Sequence, residues 1–283
     1  MKGVEVFYSV DALQSRLQSE QENSTIGFVP TMGALHHGHL TLVRASIKAC
    51  DVTVVSIFVN PTQFNNPSDL EKYPRNFEKD IRLLRTAGDV IVFAPSVDQV
   101  YPANYQTIKL DLGRMGSVME GKFREGHFDG VVNVVKRFFE IIEPTNAYFG
   151  EKDFQQLAVV QYMVRYFDMK VNIIGCPIYR VSSGLAASSR NERLSEYDKK
   201  DALVISQILN EAKQDALKLS PQEVVRIAIE RFGKSKLELE YFQIVDPSTL
   251  MDLDTWKPGA HACVTAYCGE VRLLDNLQLV PNE

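Results

Sequence analysis

A histidine- and glycine-rich segment at residues 30–40, PTMGALHHGHL, follows the first apolar run and leads into a predicted helix. The N-terminus of a helix carries unpaired N–H groups and a partial positive charge, so it attracts anions. His36 and His39 share a face if both are helical, and Gly33 and Gly38 let the backbone approach a ligand closely. Two imidazole donors here could hold a triphosphate and stabilise charge at its α-phosphorus, which is the chemistry of nucleotidyl transfer.

Two other interpretations of these histidines stay open. They could be turn residues of a polar loop, or they could bind zinc, because histidines three residues apart can ligate one ion. A zinc site needs further ligands, and the sequence contains neither an HExxH motif nor a cysteine partner for them. His37 is expected to face solvent.

Two neutral amides, Asn60 and Gln63, follow the second apolar run in the segment FVNPTQF at residues 58–64. In an open parallel sheet, ligands bind at the carboxyl ends of the strands. Amides at such a place suit the hydroxyl and carboxylate groups of a small polar substrate. The alternative is an ordinary Asn-Pro turn.

Two further polar segments have the composition of a phosphate site. In GEKDFQQL, residues 150–157, Lys152 could contact phosphate, Asp153 a ribose hydroxyl and Gln156 the substrate; the alternative is a plain helix start capped by Asp153. The segment SSRN, residues 188–191, supplies two hydroxyls and a guanidinium that can close over phosphate oxygens. It could act as a lid, or it could simply be a linker.

Alternating strands and helices must position these segments. Strands are predicted at residues 26–29, 52–59, 90–93, 147–149 and 171–174. Helices are predicted around residues 40–47 and at 77–87, 131–142 and 154–167. Because the strands are apolar on both faces, they predict a parallel sheet covered by helices on each side. Neither GxxxxGK[ST] nor GxGxxG occurs at the expected place, which disfavours a P-loop or dinucleotide site.

The character of the sequence changes near residue 180. A Ser-, Gly- and Ala-rich stretch is followed by a predicted helix over about 196–219 and by a second helix opened by the capping box Ser220-Pro221-Gln222-Glu223. Strands are predicted at 239–245, 262–267 and 271–274. We therefore expect an α/β domain at residues 1–176 and a smaller α+β domain at residues 177–283.

Composition narrows the class of protein. The chain has 283 residues, 45% apolar and 24% charged, which excludes wholesale disorder. Its net charge of −5 disfavours a nucleic-acid partner. Four widely spaced cysteines predict free thiols in a reducing compartment. The N-terminal residues do not resemble a secretory signal, and the longest apolar run is too short to cross a membrane, so we expect a cytoplasmic protein.

Six segments, in this order, resemble the pantoate–β-alanine ligase (pantothenate synthetase) family: PTMGALHHGH, FVNPTQF, YPRNFEKD, GHFDGVVNVV, YFGEKDFQQL and GLAASSRN. The resemblance covers nearly the whole chain. It implies a Rossmann-like, nucleotidyltransferase-type parallel-sheet domain followed by a C-terminal lid domain, assembled as a homodimer. It also implies two steps: ATP and pantoate give pantoyl-adenylate and pyrophosphate with Mg²⁺, and β-alanine then gives pantothenate and AMP.

The resemblance also assigns residues by position. His39 matches a residue assigned as proton donor, but pyrophosphate leaves without needing a proton, so we favour hydrogen-bond stabilisation. The candidate catalytic donors are His36, His39, Lys152, Ser188, Ser189 and Arg190. The candidate ATP-site residues are Met32, Gly33, Ala34, Leu35, His36, His37, Gly38, His39, Gly150, Glu151, Lys152, Asp153, Tyr179, Ala187, Ser188, Ser189 and Arg190. The candidate pantoate and β-alanine contacts are Met32, Asn60, Gln63 and Gln156, and Asp80 is a candidate metal-proximal carboxylate.

Three residues depart from the family pattern. Ser183 stands where Asp is usual, Ala187 where a larger residue is common, and His37 where an acidic residue is common. The first two changes bear on loop packing and on the rate of lid closure.

Two rival functions are disfavoured by individual residues. A related adenylyltransferase with a phosphate acceptor should carry Arg or Lys where Gln63 and Gln156 stand. A catalytically idle paralogue should have lost charged contacts, whereas Lys152 and Arg190 are present.

Overall fold

A six-stranded parallel sheet organises the first part of the chain in this computed structural model, which describes residues 3–21 and 24–282. Its order is β1-β4-β3-β2-β5-β6, and every neighbouring pair is parallel. The strands are β1 (Val4–Phe7), β2 (Ile26–Thr31), β3 (Val52–Ile57), β4 (Val90–Phe93), β5 (Asn146–Gly150) and β6 (Asn172–Cys176).

Helices cover both faces of this sheet because its strands are apolar on both sides. Phe28 and Val54 pack on one face, whereas their neighbours Val29 and Val55 pack on the other. The helices of this part are α1 (Val10–Gln21), α2 (His37–Ala49), α3 (Pro67–Glu71), α4 (Phe77–Arg85), α5 (Val97–Val100), α6 (Met119–Phe123), α7 (His127–Ile142) and α8 (Phe154–Tyr166).

The strand order reverses between β2 and β5, which is where open α/β sheets form a ligand crevice. β2 pairs with β5 only at Gly27 and Phe28, while it pairs with β3 along its whole length. Pro30 has no N–H to donate to a ladder, and the pairing of β2 with β5 ends at Phe28. The crevice therefore opens at the carboxyl ends of these two strands.

The C-terminal part is an antiparallel sheet packed on helices. Strands β7 (Glu238–Val245), β8 (His261–Cys268) and β9 (Val271–Gln278) pair in that order. Its helices are α9 (Glu196–Asp201), α10 (Leu203–Asp215) and α11 (Pro221–Phe232). One apolar core joins them, with Ile205, Phe232 and Val264 nearly inaccessible to water.

The predicted α/β fold with a smaller α+β part is confirmed, and so is the capping box at Ser220. The single helix predicted over about 196–219 is wrong: a tight turn at Ala202 divides it, and it ends at Asp215. The helix predicted from 131 begins at His127, after Gly126 in a left-handed conformation. The domain division at residues 176 and 177 stays a prediction.

All four cysteines are free thiols, of which Cys50 is half-buried and the others are buried. Among the described residues, no helix is both long enough and apolar enough to cross a membrane.

Candidate active site

A buried carboxylate from α4 holds the turn that follows β2. Gly33 and Ala34 both have left-handed backbone, with φ of +77° and +49°. Asp80, 1% exposed, accepts the N–H groups of Leu35 at 2.7 Å and Ala34 at 3.0 Å. Burial raises the pKa of Asp80 more than these two bonds lower it. Each oxygen of Asp80 accepts one of these bonds, so the carboxylate supports the turn, and its role as a metal-proximal carboxylate stays a prediction.

His36 and His39 are neutral donors fixed at the start of α2. His36 is the N-cap and not a helical residue, so the condition for a shared helical face is not met. Its Nδ1 accepts the Gly38 N–H at 3.1 Å, and the Nδ1 of His39 accepts the His36 N–H at 3.3 Å. Since each Nδ1 is an acceptor, each proton lies on Nε2. The two rings lie 4.0 Å apart, centroid to centroid.

Electrostatics keep both rings uncharged. Burial and the charge of Lys152 lower the pKa of His36 to about 4. Burial and the neighbouring His36 lower the pKa of His39 well below its usual range. A side chain at Gly38 would place its Cβ only 2.8 Å from His36 Cε1, so a glycine is needed there. His37 is exposed, as expected, with its ring 6.2 Å from that of Tyr179.

At the turn after β3, Pro61–Gln63, the side-chain amide of Asn60 orients the side-chain amide of Gln63. Asn60 is 1% exposed and uses both N–H groups of its amide, on Gln63 Oε1 at 3.1 Å and on the Gly130 carbonyl at 3.2 Å. Its Oδ1 accepts from the Tyr101 hydroxyl at 3.0 Å. Asn60 therefore orients Gln63, and because it also lines the cavity, its role as a substrate contact stays a prediction. The Gln63 Nε2 lies 3.1 Å from Met32 Sδ, a weak acceptor that leaves it available to a ligand.

The turn after β5, Glu151–Asp153, carries a cation at the start of α8. Lys152 Nζ lies 3.8 Å from Asp153 Oδ1, and its side chain is 17% exposed. Gln156 lines the same cavity as Lys152. The neighbouring Gln155 also lines the cavity, but it is buried and bonds to backbone groups of residues 115–120, so it supports the wall.

The predicted lid is folded against the turn after β2. Ser189, 8% exposed, donates its hydroxyl to the Ala34 carbonyl at 3.1 Å, which commits its proton to the protein. Ser188 Oγ accepts the Arg190 N–H at 3.3 Å and keeps its own proton for another acceptor. The Arg190 guanidinium bonds to Asp69 Oδ2 at 2.7 Å, so it is partly neutralised.

The sequence does not predict a charged cluster that lies beside the cavity. Glu120 accepts from Arg272 at 2.7 Å on each oxygen and from the Tyr241 hydroxyl at 2.9 Å. Burial raises the pKa of Glu120, but Arg272 outweighs it and the pKa falls to about 2. Arg124 lies 3.5 Å from Glu120 and faces the cavity.

His127 directs Nδ1 at the Gln63 carbonyl, 2.9 Å away, and burial lowers its pKa to about 3. The segment GHFDGVVNVV was the signal that could have found His127.

One cavity of about 230 Å³ joins these segments, at the carboxyl ends of β2, β3 and β5. The predicted residues that line it are Met32, His36, Gly38, His39, Asn60, Gln63, Gly150, Lys152, Asp153, Gln156, Tyr179, Ala187, Ser188, Ser189 and Arg190. The predicted residues outside its lining are Gly33, Ala34, Leu35, His37, Asp80 and Glu151.

The described residues provide no group of three or more His, Cys, Asp or Glu side chains that could hold a metal ion. The two histidines also use each Nδ1 within the protein. These observations argue against the zinc interpretation. The site instead offers neutral N–H donors, a cation and two amides around a cavity, which suits a phosphate-bearing ligand beside a small polar acid.

Comparison with known proteins identifies relatives along nearly the whole chain. The family model described as pantoate-beta-alanine ligase matches residues 5–278. Curated proteins named pantothenate synthetase are similar to the chain: that of Bacteroides thetaiotaomicron is 46% identical and that of Porphyromonas gingivalis 47%, each over 97% of this chain and 99% of the relative.

Solved structures of the same family are also similar to this chain. The pantothenate synthetase of Thermus thermophilus superposes with a TM-score of 0.93 at 40% identity, covering 98% of this chain and all of the other. A pantoate-beta-alanine ligase of Francisella tularensis, described as complexed with "Beta-gamma ATP" and β-alanine, has a TM-score of 0.82 at 35% identity over 98% of both chains.

Proposed function

Because the chain belongs to the pantoate–β-alanine ligase family, we propose that its cavity first forms pantoyl-adenylate and then transfers the acyl group to β-alanine. The chain is an ATP-dependent ligase that condenses pantoate with β-alanine. The observation that carries it is the pair of neutral histidines whose backbone bonds fix both protons on Nε2 beside a helix N-terminus.

In the first step a carboxylate oxygen of pantoate attacks the α-phosphorus of ATP. The new O–P bond forms while the bond from phosphorus to the bridging oxygen breaks, and pyrophosphate leaves with that electron pair. The nucleophile and the triphosphate are both anionic, so the site must position them in line and stabilise the growing negative charge. Neutral histidines serve this purpose because they donate hydrogen bonds without a proton having to move.

Four groups are proposed to stabilise this transition state. His36 and His39 donate from Nε2, and Lys152 supplies a cation that the Asp153 carboxylate, 3.8 Å away, neutralises only in part. The Ser188 hydroxyl supplies a further donor. Ser189 and Arg190 are proposed in a supporting role: Ser189 fastens the lid to Ala34, and Arg190 reaches phosphate only with the guanidinium nitrogens that Asp69 leaves unbonded.

Pantoate is proposed to lie between Gln63 and Gln156. These neutral amides bond to a hydroxyl or carboxylate without adding the charge that would favour a phosphate acceptor. Asn60 fixes Gln63 by its 3.1 Å bond, which supports a defined orientation of the amide.

In the second step the amine of β-alanine attacks the acyl carbon of the adenylate. The C–N bond forms and the bond from carbon to the phosphate oxygen breaks. AMP leaves with that oxygen and its electron pair, and the amine nitrogen loses one proton to water. We propose that Arg124 attracts the carboxylate of β-alanine, because Glu120 is engaged more closely by Arg272, at 2.7 Å, than by Arg124, at 3.5 Å.

Mg²⁺ is proposed to arrive with the ATP phosphates. The described carboxylates give it no cluster of protein ligands, so we assign it no residue and no step. We also propose a homodimer, which rests on the family resemblance, and a cytoplasmic location, which the four free thiols favour.

Pyrophosphate release tests the order of steps. We expect the purified protein with ATP and Mg²⁺ to release pyrophosphate when pantoate alone is added. Subsequent β-alanine should then release AMP and pantothenate. Pyrophosphate release that requires β-alanine from the start would contradict the proposed order, and release with a phosphate-bearing acceptor in place of pantoate would favour the rival adenylyltransferase.

A further inference from the structure

Two adjacent residues of the C-terminal sheet lie in the wall of the active-site cavity. Asp275 and Asn276 belong to strand β9 and are 5% and 3% exposed. Neither belongs to a segment for which the sequence suggested chemistry. Asn276 bonds to the proposed ATP-site segment after β5. Asp275 bonds to Arg180, which follows β6 and lies between the proposed ATP-site residues Tyr179 and Ala187.

Asn276 holds the turn that carries Lys152. Its Nδ2 lies 2.9 Å from the Glu151 carbonyl and 2.9 Å from the Lys152 carbonyl. The two N–H groups of one buried amide thus satisfy two successive carbonyls in the turn after β5. Because a buried donor removed from its acceptors leaves them unsatisfied, this contact restrains the backbone from which the Lys152 side chain projects.

Asp275 holds the base of the lid. Its two oxygens accept from the two terminal nitrogens of Arg180, at 2.6 and 2.9 Å. Arg180 also bonds to the Gly184 carbonyl at 3.2 Å, across the hairpin that leads to Ser188. Bidentate pairs of this kind fix orientation as well as distance. The charge of Arg180 balances that of Asp275, so this pair repels a triphosphate only weakly.

We propose that Asp275 and Asn276 are positioning residues for adenylate formation, which set the spacing between Lys152 and the lid serines. This inference rests on the proposed function, because it assigns both segments to the same triphosphate. One segment follows β5 and the other follows β6. Asn276 bonds to the first and its neighbour Asp275 to the second, so strand β9 joins the two loops. The C-terminal sheet is thereby part of the adenylation machinery and not only a cover for it.

The isosteric variant Asn276→Asp tests this, because it loses both donors and keeps the shape. We expect kcat for pantoate-dependent pyrophosphate release to fall about 10- to 100-fold, the loss typical of a reacting group misplaced by about 1 Å. The KM for pantoate should stay within about twofold, since Gln63 and Gln156 are not touched. Asn276→Ala and Asp275→Asn are measured alongside, and melting temperatures give the folded fraction of each variant.

The matched control is Gln278→Ala on the same strand. The Gln278 side chain bonds to Val280 and Asn282, outside the cavity, and its replacement should leave kcat unchanged. If folded Asn276 variants match this control, or if their KM for pantoate worsens together with kcat, the positioning role is refuted. If the wild-type protein releases no pyrophosphate with pantoate, the proposed function fails first and takes this inference with it.

Discussion

Replacing Asp80 by asparagine tests whether this carboxylate supports the turn before α2 or serves a metal ion. Its two oxygens accept the N–H groups of Leu35 at 2.7 Å and Ala34 at 3.0 Å. An asparagine keeps the shape but only one acceptor, so one N–H would face the new NH₂ group. Ala34 already has left-handed backbone, so the turn has little capacity to relax without its support.

The magnitude follows from two opposing effects. Losing a hydrogen bond to a charged group costs about 1.5–3 kcal/mol. Burial raises the pKa of Asp80, so removal of the charge recovers part of that loss. We expect the free energy of unfolding to fall by about 2 kcal/mol, which lowers Tm by about 3–4 °C at an unfolding entropy of about 2.1 cal/mol/K per residue. Because His36 follows this turn directly, kcat for adenylation should fall about tenfold.

Calorimetry and pyrophosphate release, the latter measured over a series of Mg²⁺ concentrations, check this prediction. The control is Asp98→Asn, at an exposed carboxylate, which should alter the free energy of unfolding by less than about 0.5 kcal/mol. The Mg²⁺ concentration for half-maximal activity of Asp80→Asn should equal that of the wild type. An unchanged Tm together with a raised Mg²⁺ requirement would refute the supporting role and restore the metal-proximal one.

Three further predictions follow from the histidines and the lid. His39→Ala should lower kcat for adenylate formation about 10²- to 10³-fold, as expected for loss of one preorganised donor; near-normal pantoate-dependent pyrophosphate release would contradict this. Burial lowers the pKa of His36 from 6.5 to about 4, so the folded state binds fewer protons than the unfolded state, and the free energy of unfolding should fall as pH drops from about 6.5 to 4. His36→Gln should reduce that slope in urea titrations without removing it, because His39 and His127 also have lowered pKa values. A slope equal to that of the wild type would contradict the contribution of His36. ATP should slow hydrogen exchange in residues 182–190, and equal protection with and without ATP would exclude ordering of the lid by the nucleotide.

Local patterns predicted most of the fold. Strands that are apolar on both faces predict the parallel sheet, and the prediction that the histidine segment lies at the start of a helix is confirmed by α2. Strand β1 and helix α1 were not predicted. The helix over about 196–219 was overextended because periodicity alone does not reveal the tight turn at Ala202.

The contacts that set roles within the site were harder to predict, because they join distant parts of the chain. Asp80 bonds to Leu35 across 45 positions, and Asn276 bonds to Glu151 across 125. Such pairings depend on how elements pack and leave no local signature. The sequence could therefore nominate Asp80 and Asn60 as candidate functional residues, but it could not show that Asp80 also holds the turn after β2 or that Asn60 orients Gln63.

Attack by the carboxylate of pantoate on the α-phosphorus of ATP transfers one carboxylate oxygen to AMP. Pantoate labelled with ¹⁸O in its carboxylate, incubated with the protein, ATP, Mg²⁺ and β-alanine, tests it directly by mass spectrometry of the products. One labelled oxygen should appear in AMP for each pantothenate formed, with none in pyrophosphate. Unlabelled AMP, with the label in phosphate or pyrophosphate, would show attack at another phosphorus and contradict the adenylate account.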